Sequence, residues 1–236
     1  MTATRLRDIP GPAGRLEALI EEPAARRHVA EDGRQAGLRA EDRESASARQ
    51  AGLRAAVVLA HPHTGYGGTM HTKAVYQAAK AFSRIGCAVL RFNFRGAGTS
   101  DGQFSDGPGE MDDMRAALDF MSRRYAGAHL WVAGMSFGSW VALTVGAGDA
   151  RVSTLVAIAP PVTRYDFEPV AQSPKAKFLI HGERDELCPL KDVREFYARA
   201  AEPKELVVVD AADHLFDGKV GEVGDAIEEL LGDWEH

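Results

Sequence analysis

The stretch VAGMSFGSW, residues 132–140, decides the fold because it sets a serine between two glycines where one sequence pattern gives way to another. Before the serine, LWVAGM (130–135) is a continuous apolar run of the kind that forms a buried strand. After it, SWVALTVG (139–146) is typical of a helix. The letters match G-x-S-x-G, in which small neighbours let the backbone pass while the serine hydroxyl projects above a sheet. We therefore interpret Ser136 as a candidate nucleophile. The alternative is a glycine-lined helix start that the serine merely caps.

The same alternation of strand and helix extends outward from this stretch. Buried strands are predicted at residues 55–60, 87–94, 153–160, 177–182 and 205–211. Helices are predicted at residues 75–85, 111–125, from Pro189 onward, and at 220–231. RLEALIE (15–21) alternates apolar and polar residues and predicts an edge strand. The pattern predicts an α/β fold with a mostly parallel central sheet and helices on both faces. In such sheets, ligands bind at the carboxyl ends of the strands.

Three predicted strand ends carry a serine, an aspartate and a histidine in that chain order. A serine hydroxyl needs a base to become a nucleophile, and the base needs an orienting carboxylate. Asp185 follows the strand KFLIHG, and His214 follows the strand ELVVVDA. We predict that Ser136, Asp185 and His214 act together, in the order expected when a strand-to-helix turn carries the nucleophile. Three acidic residues are alternatives to Asp185: Glu183, Glu186 and Asp210.

Other polar residues near these strand ends are given structural interpretations. His181 lies inside a predicted strand, so we expect it to pack or to anchor a loop. Asp213 is expected to be a loop or cap residue. The glycine-spaced loop 93–102 lacks the G-K-[ST] ending of a phosphate-binding loop, and Arg95 in it is expected to tie the loop down by hydrogen bonds.

A serine nucleophile also requires amide donors for the oxyanion that forms when it attacks a carbonyl. The amide of Phe137, at the start of the predicted helix, is the first candidate. The second is expected in LAHPHTGYGGTMH (59–71), which follows a predicted strand. Pro62 has no N–H. The sequence therefore favours the amide of His63 or Thr64.

The same loop allows two further interpretations. The amide of Tyr66 is a weaker candidate donor, and its side chain is a candidate substrate contact. His61, His63 and His71 lie close together in the sequence, which makes a metal site the competing interpretation. No Cys, Asp or Glu accompanies them in this loop, so we expect no metal there.

Net charge, cysteine content and the N-terminal sequence bear on the partners and the location of the protein. The 236 residues carry a net charge of −6 with no basic block, which gives no electrostatic reason to bind nucleic acid or an anionic membrane. Cys87 and Cys188 do not form a disulfide framework, and the N-terminus lacks the apolar stretch of a signal peptide, so a cytoplasmic location is expected. We expect no cofactor, no membrane attachment, and a monomer or homodimer that acts on a small molecule.

Residues 24–55 interrupt the alternating pattern. They contain no aromatic residue, are rich in Arg, Ala, Glu and Asp, and hold RQAGLRA twice, at 34–40 and 49–55. Two copies are too few for a solenoid. We interpret the segment as a flexible or partly helical insertion in a single domain of residues 1–236. A lid or a partner-docking arm is the alternative.

Six stretches together resemble the α/β-hydrolase superfamily, and within it the small bacterial hydrolases related to dienelactone hydrolase and short-chain esterases. They cover most of residues 55–225 in the family's order: HPHTGYGGTMHTK, LRFNFRGAGTSDGQF, GEMDDMRAALDF, WVAGMSFGSWVAL, FLIHGERDELCPLKDV and DHLFDGKVGEV. The resemblance implies Ser136, Asp185 and His214 as the catalytic triad, with serine where dienelactone hydrolases use cysteine. The short region 160–176 implies that no large cap domain is present, and hence an open site of modest selectivity.

The activity that follows is that of a serine hydrolase cleaving small carboxylic esters through an acyl-enzyme on Ser136. A thioesterase, an acyltransferase or a peptidase would use the same triad. From another class, a catalytically silent binding protein with this fold is the remaining alternative.

Overall fold

The computed structural model describes residues 2–23 and 52–234, whose eight strands form one sheet in the order β1-β2-β4-β3-β5-β6-β7-β8. The predicted insertion 24–55 lies outside the described residues except for residues 52–55, which lead into β3. The strands are β1 (Thr2–Gly11), β2 (Gly14–Glu22), β3 (Ala56–Ala60), β4 (Ala88–Phe92), β5 (Leu130–Met135), β6 (Val152–Ile158), β7 (Ala176–Gly182) and β8 (Lys204–Val209).

Strands β3 to β8 run parallel to one another, and only β1 and β2 are antiparallel to their neighbours. The prediction of a mostly parallel sheet is confirmed. The prediction that residues 15–21 form an edge strand is wrong, because β2 pairs with β4 on one side and with β1 on the other. The edge is β1, whose residues TATRLRDIPG lack a clear alternation and become a strand by pairing with β2 across a tight turn.

Helices cover both faces of this sheet, as predicted. They are α1 (Lys73–Arg84), α2 (Pro108–Arg124), α3 (Phe137–Gly148), α4 (Glu168–Gln172), α5 (Leu190–Arg199) and α6 (Val220–Leu231). Alternate residues of β3 point to opposite faces, so Val58 packs with α2 and α3 while Val57 packs with α1 and α6. Each face is sealed by apolar side chains, which explains why the inner strands have continuous apolar sequences.

The connection between β6 and β7 is short. Residues 159–175, between β6 and β7, contain only the five-residue helix α4. No large cap domain is present there, in agreement with the prediction. The loops that follow β3 to β8 are therefore the elements that shape the carboxyl edge of the sheet.

A buried ion pair joins the antiparallel part of the sheet to the parallel part. The guanidinium of Arg91 on β4 donates from Nε to Glu21 Oε1 on β2 at 3.0 Å, and from Nη1 to the carbonyl oxygen of Met70. The side chains of Arg91 and Glu21 are 3% and 2% exposed. A charge left in such a site without its partner is costly, because neither water nor another ion can replace it.

Replacing Glu21 by Ala should therefore lower the free energy of unfolding by about 3–5 kcal/mol, since Arg91 would remain buried and unpaired. Asp112→Ala is the matched control, because the Asp112–Arg115 pair is more than half exposed and such pairs contribute under about 1 kcal/mol. Urea unfolding gives the free energy of unfolding of both variants. Equal losses in the two variants would contradict the role given to the buried pair.

Candidate active site

The turn between β5 and α3 holds Ser136 in a strained backbone conformation, with φ 52° and ψ −126°. The two flanking glycines are there because the backbone passes too close for a side chain. A Cβ at Gly134 would lie 2.3 Å from the carbonyl oxygen of Gly138, and a Cβ at Gly138 would lie 2.3 Å from that of His61. The glycines thus let α3 start directly against β3, with Ser136 at the apex of the turn.

Hydrogen bonds hold this turn in place. The amide of Ser136 donates to the carbonyl oxygen of Ile158 on β6 at 2.8 Å. The hydroxyl of Ser139 donates back to the carbonyl oxygen of Ser136 at 2.6 Å. The strained residue is therefore bonded to a neighbouring strand and to its own helix, which keeps the position of its hydroxyl fixed.

The structure brings together the three residues that the sequence singled out. His214 Nε2 lies 2.8 Å from Ser136 Oγ, and His214 Nδ1 lies 2.7 Å from Asp185 Oδ2. Ser136 follows β5, Asp185 follows β7 and His214 follows β8, so three loops of the same sheet edge supply them. With Nδ1–H donating to the carboxylate, Nε2 presents a lone pair to the serine hydroxyl.

Asp185 is fixed as an ionised acceptor. Its Oδ1 accepts the backbone amides of Leu187 and Cys188, each at 2.9 Å, while its Oδ2 faces His214. Burial by itself would raise the pKa of Asp185, but the hydrogen bonds from His214 and from the Cys188 amide outweigh it and hold the pKa below its usual value. The carboxylate therefore remains charged at neutral pH.

Two acidic residues near His214 are occupied elsewhere. Glu183 accepts the amide of Ala211 at 2.9 Å. Asp213 accepts the amides of Leu215 and Asp217 at 3.1 and 3.0 Å, which makes it the loop residue that the sequence predicted.

His181 is a second histidine beside Asp185. It is fully buried on β7, and its Nε2 donates to the carbonyl oxygen of Cys188 at 2.8 Å while lying 3.6 Å from Asp185 Oδ2. Burial is the main cause that lowers the pKa of His181, so its ring is neutral. His181 anchors the loop that carries Asp185, as the sequence predicted.

The loop after β3 leaves few backbone amides free to meet a ligand. Within it, the amide of Gly65 donates to His63 Nδ1 at 3.0 Å, and those of Tyr66 and Gly68 both donate to the carbonyl oxygen of His63 at 3.1 Å. The amide of Gly67 donates to the Thr64 carbonyl oxygen at 3.0 Å. The amides of His63 and Thr64 have no acceptor among the described residues. The amide of Phe137 is also without an acceptor inside its helix, because Phe137 is the first residue of α3.

His61 plays a structural part in the same loop. Its Nδ1 lies 2.6 Å from the carbonyl oxygen of Pro62, and its Nε2 accepts the amide of Phe94 at 3.0 Å. Burial lowers the pKa of His61 to about 4. Both ring nitrogens are thus engaged within the protein. In the described ranges, no three or more His, Cys, Asp or Glu side chains are grouped as metal ligands.

The glycine-rich loop 93–102 is tied down as predicted. Arg95 contacts Asp113 through Nε at 3.1 Å and Nη2 at 2.8 Å, and its amide donates to the same carboxylate at 2.9 Å. The loop is also bonded to β2, because Asn93 Nδ2 and the Thr99 amide both donate to Glu17 Oε2. Its polar groups therefore serve the structure of the sheet edge.

Backbone strain is concentrated at this edge of the sheet. In residues 2–23 and 52–234, five residues other than glycine have a positive φ, and all five lie in loops that follow the carboxyl ends of strands: Asp106, Ser136, Ala159, Ala211 and Phe216. Each such residue costs about 1–3 kcal/mol. Strain of this kind accumulates where side chains must be held in fixed positions for binding or chemistry.

The family model described as the alpha/beta hydrolase domain matches residues 53–230 of the sequence. The chain belongs to the alpha/beta hydrolase family. The resemblance seen in the sequence is confirmed, and the eight-stranded sheet with its two layers of helices is the fold of this family.

Three relatives of this alpha/beta hydrolase are informative. An uncharacterized protein of Rickettsia prowazekii is 36% identical over 185 residues, which cover 75% of the chain and 77% of that protein. A homologue of an alpha-beta serine hydrolase from Coxiella burnetii is 30% identical, covers 98% and 97% of the two chains, and superposes with a TM-score of 0.78. A serine hydrolase without a lid from Xanthomonas campestris is 28% identical, covers 100% and 98%, and has a TM-score of 0.79. The family and these relatives support a hydrolase.

An aromatic cluster beside the nucleophile turn was not found from the sequence. The ring of Phe137 lies 5.7 Å from those of Trp140 and Tyr165 and 5.1 Å from that of His63, measured between centroids. Trp140 and Tyr165 are half-buried and stack at 4.4 Å with an interplanar angle of 16°. The signal was present as aromatic residues in α3 and in the loop after β6, but only the fold brings them together.

In the described part of the hydrolase, no helix is long and apolar enough to cross a membrane.

Replacing Gly134 by Ala should open the nucleophile turn, because the added methyl meets the Gly138 carbonyl carbon and oxygen at 2.4 and 2.3 Å. We expect a loss of at least about 2 kcal/mol in the free energy of unfolding. Gly148→Ala, at the other end of α3, is the control, since nothing lies within 4 Å of its Cβ and alanine favours helix by up to about 1 kcal/mol. Denaturant unfolding gives the free energy of unfolding of both variants. A Gly134→Ala variant as stable as the control would refute the crowding argument.

Stability should fall as the pH is lowered from about 6.5 to 4, because His61 has a pKa of about 4 in the folded protein and 6.5 as its ordinary value. Between these pH values the unfolded chain binds the proton and the folded chain does not, which costs about 3 kcal/mol of stability by pH 4. His181 acts in the same direction.

The measurement is the free energy of unfolding against pH. His61→Asn should flatten the slope between pH 6.5 and 4, whereas the same change at the exposed His71 should leave it as it is. An unchanged slope in His61→Asn would assign the pH dependence to other groups.

Proposed function

We propose that this protein is a serine hydrolase that cleaves small carboxylic esters through an acyl-enzyme on Ser136. The observation that carries the proposal is the unbroken chain of contacts from Asp185 Oδ2 to His214 and from His214 Nε2 to Ser136 Oγ, at 2.7 and 2.8 Å. These are distances at which a histidine takes the proton of a serine hydroxyl. The lidless serine hydrolase from Xanthomonas campestris, at 28% identity, supports the same conclusion.

The first half of the reaction acylates the serine. His214 Nε2 takes the hydroxyl proton as Ser136 Oγ bonds to the ester carbonyl carbon, and the carbonyl oxygen becomes an oxyanion. When this intermediate collapses, the bond from carbon to the alcohol oxygen breaks, and the departing alcohol takes the proton from His214. Asp185, kept ionised by its hydrogen bonds, stabilises the histidine cation between the two steps.

The second half releases the acid. His214 takes a proton from water, whose oxygen bonds to the acyl carbonyl carbon, and a second oxyanion forms. The bond to Ser136 Oγ then breaks, and the serine takes its proton back from His214. Every proton is accounted for by this histidine, so the cycle needs no cofactor.

The oxyanion is stabilised by backbone amides from two loops. Phe137 supplies one from the start of α3, where the helix dipole adds to the hydrogen bond. His63 or Thr64 supplies the other, because the following amides in that loop are bonded to acceptors within the loop. The amide of Tyr66 is among those occupied, so we assign Tyr66 a part in substrate binding through its side chain, which is 76% exposed.

Ser136→Ala should lower kcat for p-nitrophenyl acetate hydrolysis by on the order of a million-fold, because no other group can form the acyl-enzyme. Asp185→Asn should lower it by about ten-thousand-fold, since the wrong histidine tautomer is then favoured. Ser122→Ala, near the end of α2 that leads into the start of β5, is the control and should retain activity.

A fluorophosphonate probe should label the wild type and the Ser122→Ala variant but not Ser136→Ala. A folded wild type that resists the probe and hydrolyses no ester would instead indicate a binding protein. Matched p-nitrophenyl esters and thioesters distinguish an esterase from a thioesterase with the same triad.

A further inference from the structure

Large apolar side chains that remain in water are few in the described part of the chain, and most of them lie in loops at the carboxyl edge of the sheet. Four are strongly exposed: Tyr66 at 76%, Leu187 at 64%, Leu215 at 51% and Tyr76 at 41%. Tyr76 is on α1, where its ring lies 5.3 Å from the Arg91 guanidinium. The other three lie in the loops that follow β3, β7 and β8, which also carry His63, Asp185 and His214. Exposed apolar surface that gathers around a site of chemistry is typical of a binding surface.

The two leucines are held in the positions they occupy. The amide of Leu187 donates to Asp185 Oδ1 at 2.9 Å, and the amide of Leu215 donates to Asp213 Oδ1 at 3.1 Å. Leu215 lies between His214, which is 8% exposed, and Phe216, which is fully buried. The two leucines are therefore exposed although hydrogen bonds hold the backbone of their loops in place, and their exposure does not come from a loose segment.

Both leucines adjoin residues of the triad along the chain. Leu187 is one hydrogen bond from Asp185, whose other oxygen contacts His214 at 2.7 Å. Leu215 is the next residue after His214, which contacts Ser136 Oγ at 2.8 Å. In the loop after β3, the Tyr66 ring lies 4.8 Å from the His63 ring, which in turn lies 5.1 Å from that of Phe137, the residue after Ser136.

We propose that Leu187 and Leu215, named here the leucine rim, bind the neutral apolar chain of the ester that Ser136 attacks. The inference rests on the proposed function and adds to it a substrate class: small esters with a chain of several carbons on either the acyl or the alcohol side. A chain that leaves the carbonyl carbon and crosses the rim removes both leucines from water, which favours binding in proportion to the apolar area covered.

The charges around the rim favour a narrow neutral chain over a larger occupant. Exposed carboxylates adjoin both leucines in the sequence: Glu186 precedes Leu187, while Asp213 and Asp217 lie two residues on either side of Leu215. A protein partner or an anionic membrane lying flat on the rim would have to desolvate or oppose these charges. A single alkyl chain contacts the leucines and leaves the carboxylates in water.

The test is the chain-length preference of a Leu187→Ser, Leu215→Ser double variant. One arm compares kcat/KM for p-nitrophenyl octanoate with that for p-nitrophenyl acetate. The other compares octyl acetate with ethyl acetate, and all four esters are kept below their solubility limits in water. We expect the ratio of long to short ester to fall at least tenfold in one arm, mainly through KM, and the affected arm identifies the side of the ester that carries the chain.

Tyr76→Ser is the matched control, because it removes an exposed apolar side chain outside these loops and should leave both ratios unchanged. The urea midpoint shows that each variant is folded. This is expected of the leucine variant because both side chains are exposed, and Tyr76→Ser loses in addition only the contact of the Tyr76 ring with Lys80 and Arg91. An unchanged ratio in both arms overturns the leucine rim, and so does an equal fall in Tyr76→Ser.

The proposed function is tested separately in the same samples. Labelling of Ser136 by a small fluorophosphonate does not need the leucine rim. If the double variant is labelled and its ratios of kcat/KM for long and short esters equal those of the wild type, the role of the leucine rim is wrong and the serine hydrolase assignment is unaffected. Wild type that neither labels nor hydrolyses any of the four esters would overturn the proposed function itself.

Discussion

The arrangement of the site depends on one steric constraint, the close passage of the first turn of α3 against β3. At Gly138 the backbone lies so near the His61 carbonyl that a single methyl group would not fit, and Gly134 faces Gly138 in the same way. Since the chain must turn from β5 into α3 within this narrow space, Ser136 takes a positive φ. Its hydroxyl then projects from the apex of the turn, and the amide of Phe137 lies at the N-terminus of the helix.

Hydrogen bonds fix the turn of Ser136 and, separately, the loop of Asp185. Ser136 bonds to β6, Asp185 is fixed by two amides of its own loop, and His181 anchors that loop from inside β7. The three predicted catalytic side chains thus meet without long flexible connections. Charged hydrogen bonds to a buried carboxylate also explain why Asp185 stays ionised in a place where burial alone would favour the neutral acid.

Most of the fold was predictable because its inner strands are buried on both faces. Such strands have apolar sequences, and those of β3 and β5 stand out between polar loops without reference to any partner. The antiparallel hairpin was only half predictable. β2 alternates and was expected at an edge, whereas β1 has little pattern and exists because β2 offers it a row of hydrogen-bonding groups. The pairing of Arg91 with Glu21 across β4 and β2 likewise has no local signal.

The sequence by itself determined the order of the elements, the serine in its turn, and a short set of acids and histidines at later strand ends, because each of these is a local property of the chain. Only the tertiary structure decided that Asp185 rather than Glu183 faces His214, and that the amides of His63 and Thr64 find no acceptor among the described residues. It also decided that Leu187 and Leu215 remain in water on the loops that carry Asp185 and His214. These features depend on distances between residues far apart in the chain, and packing, which no short stretch encodes, sets those distances.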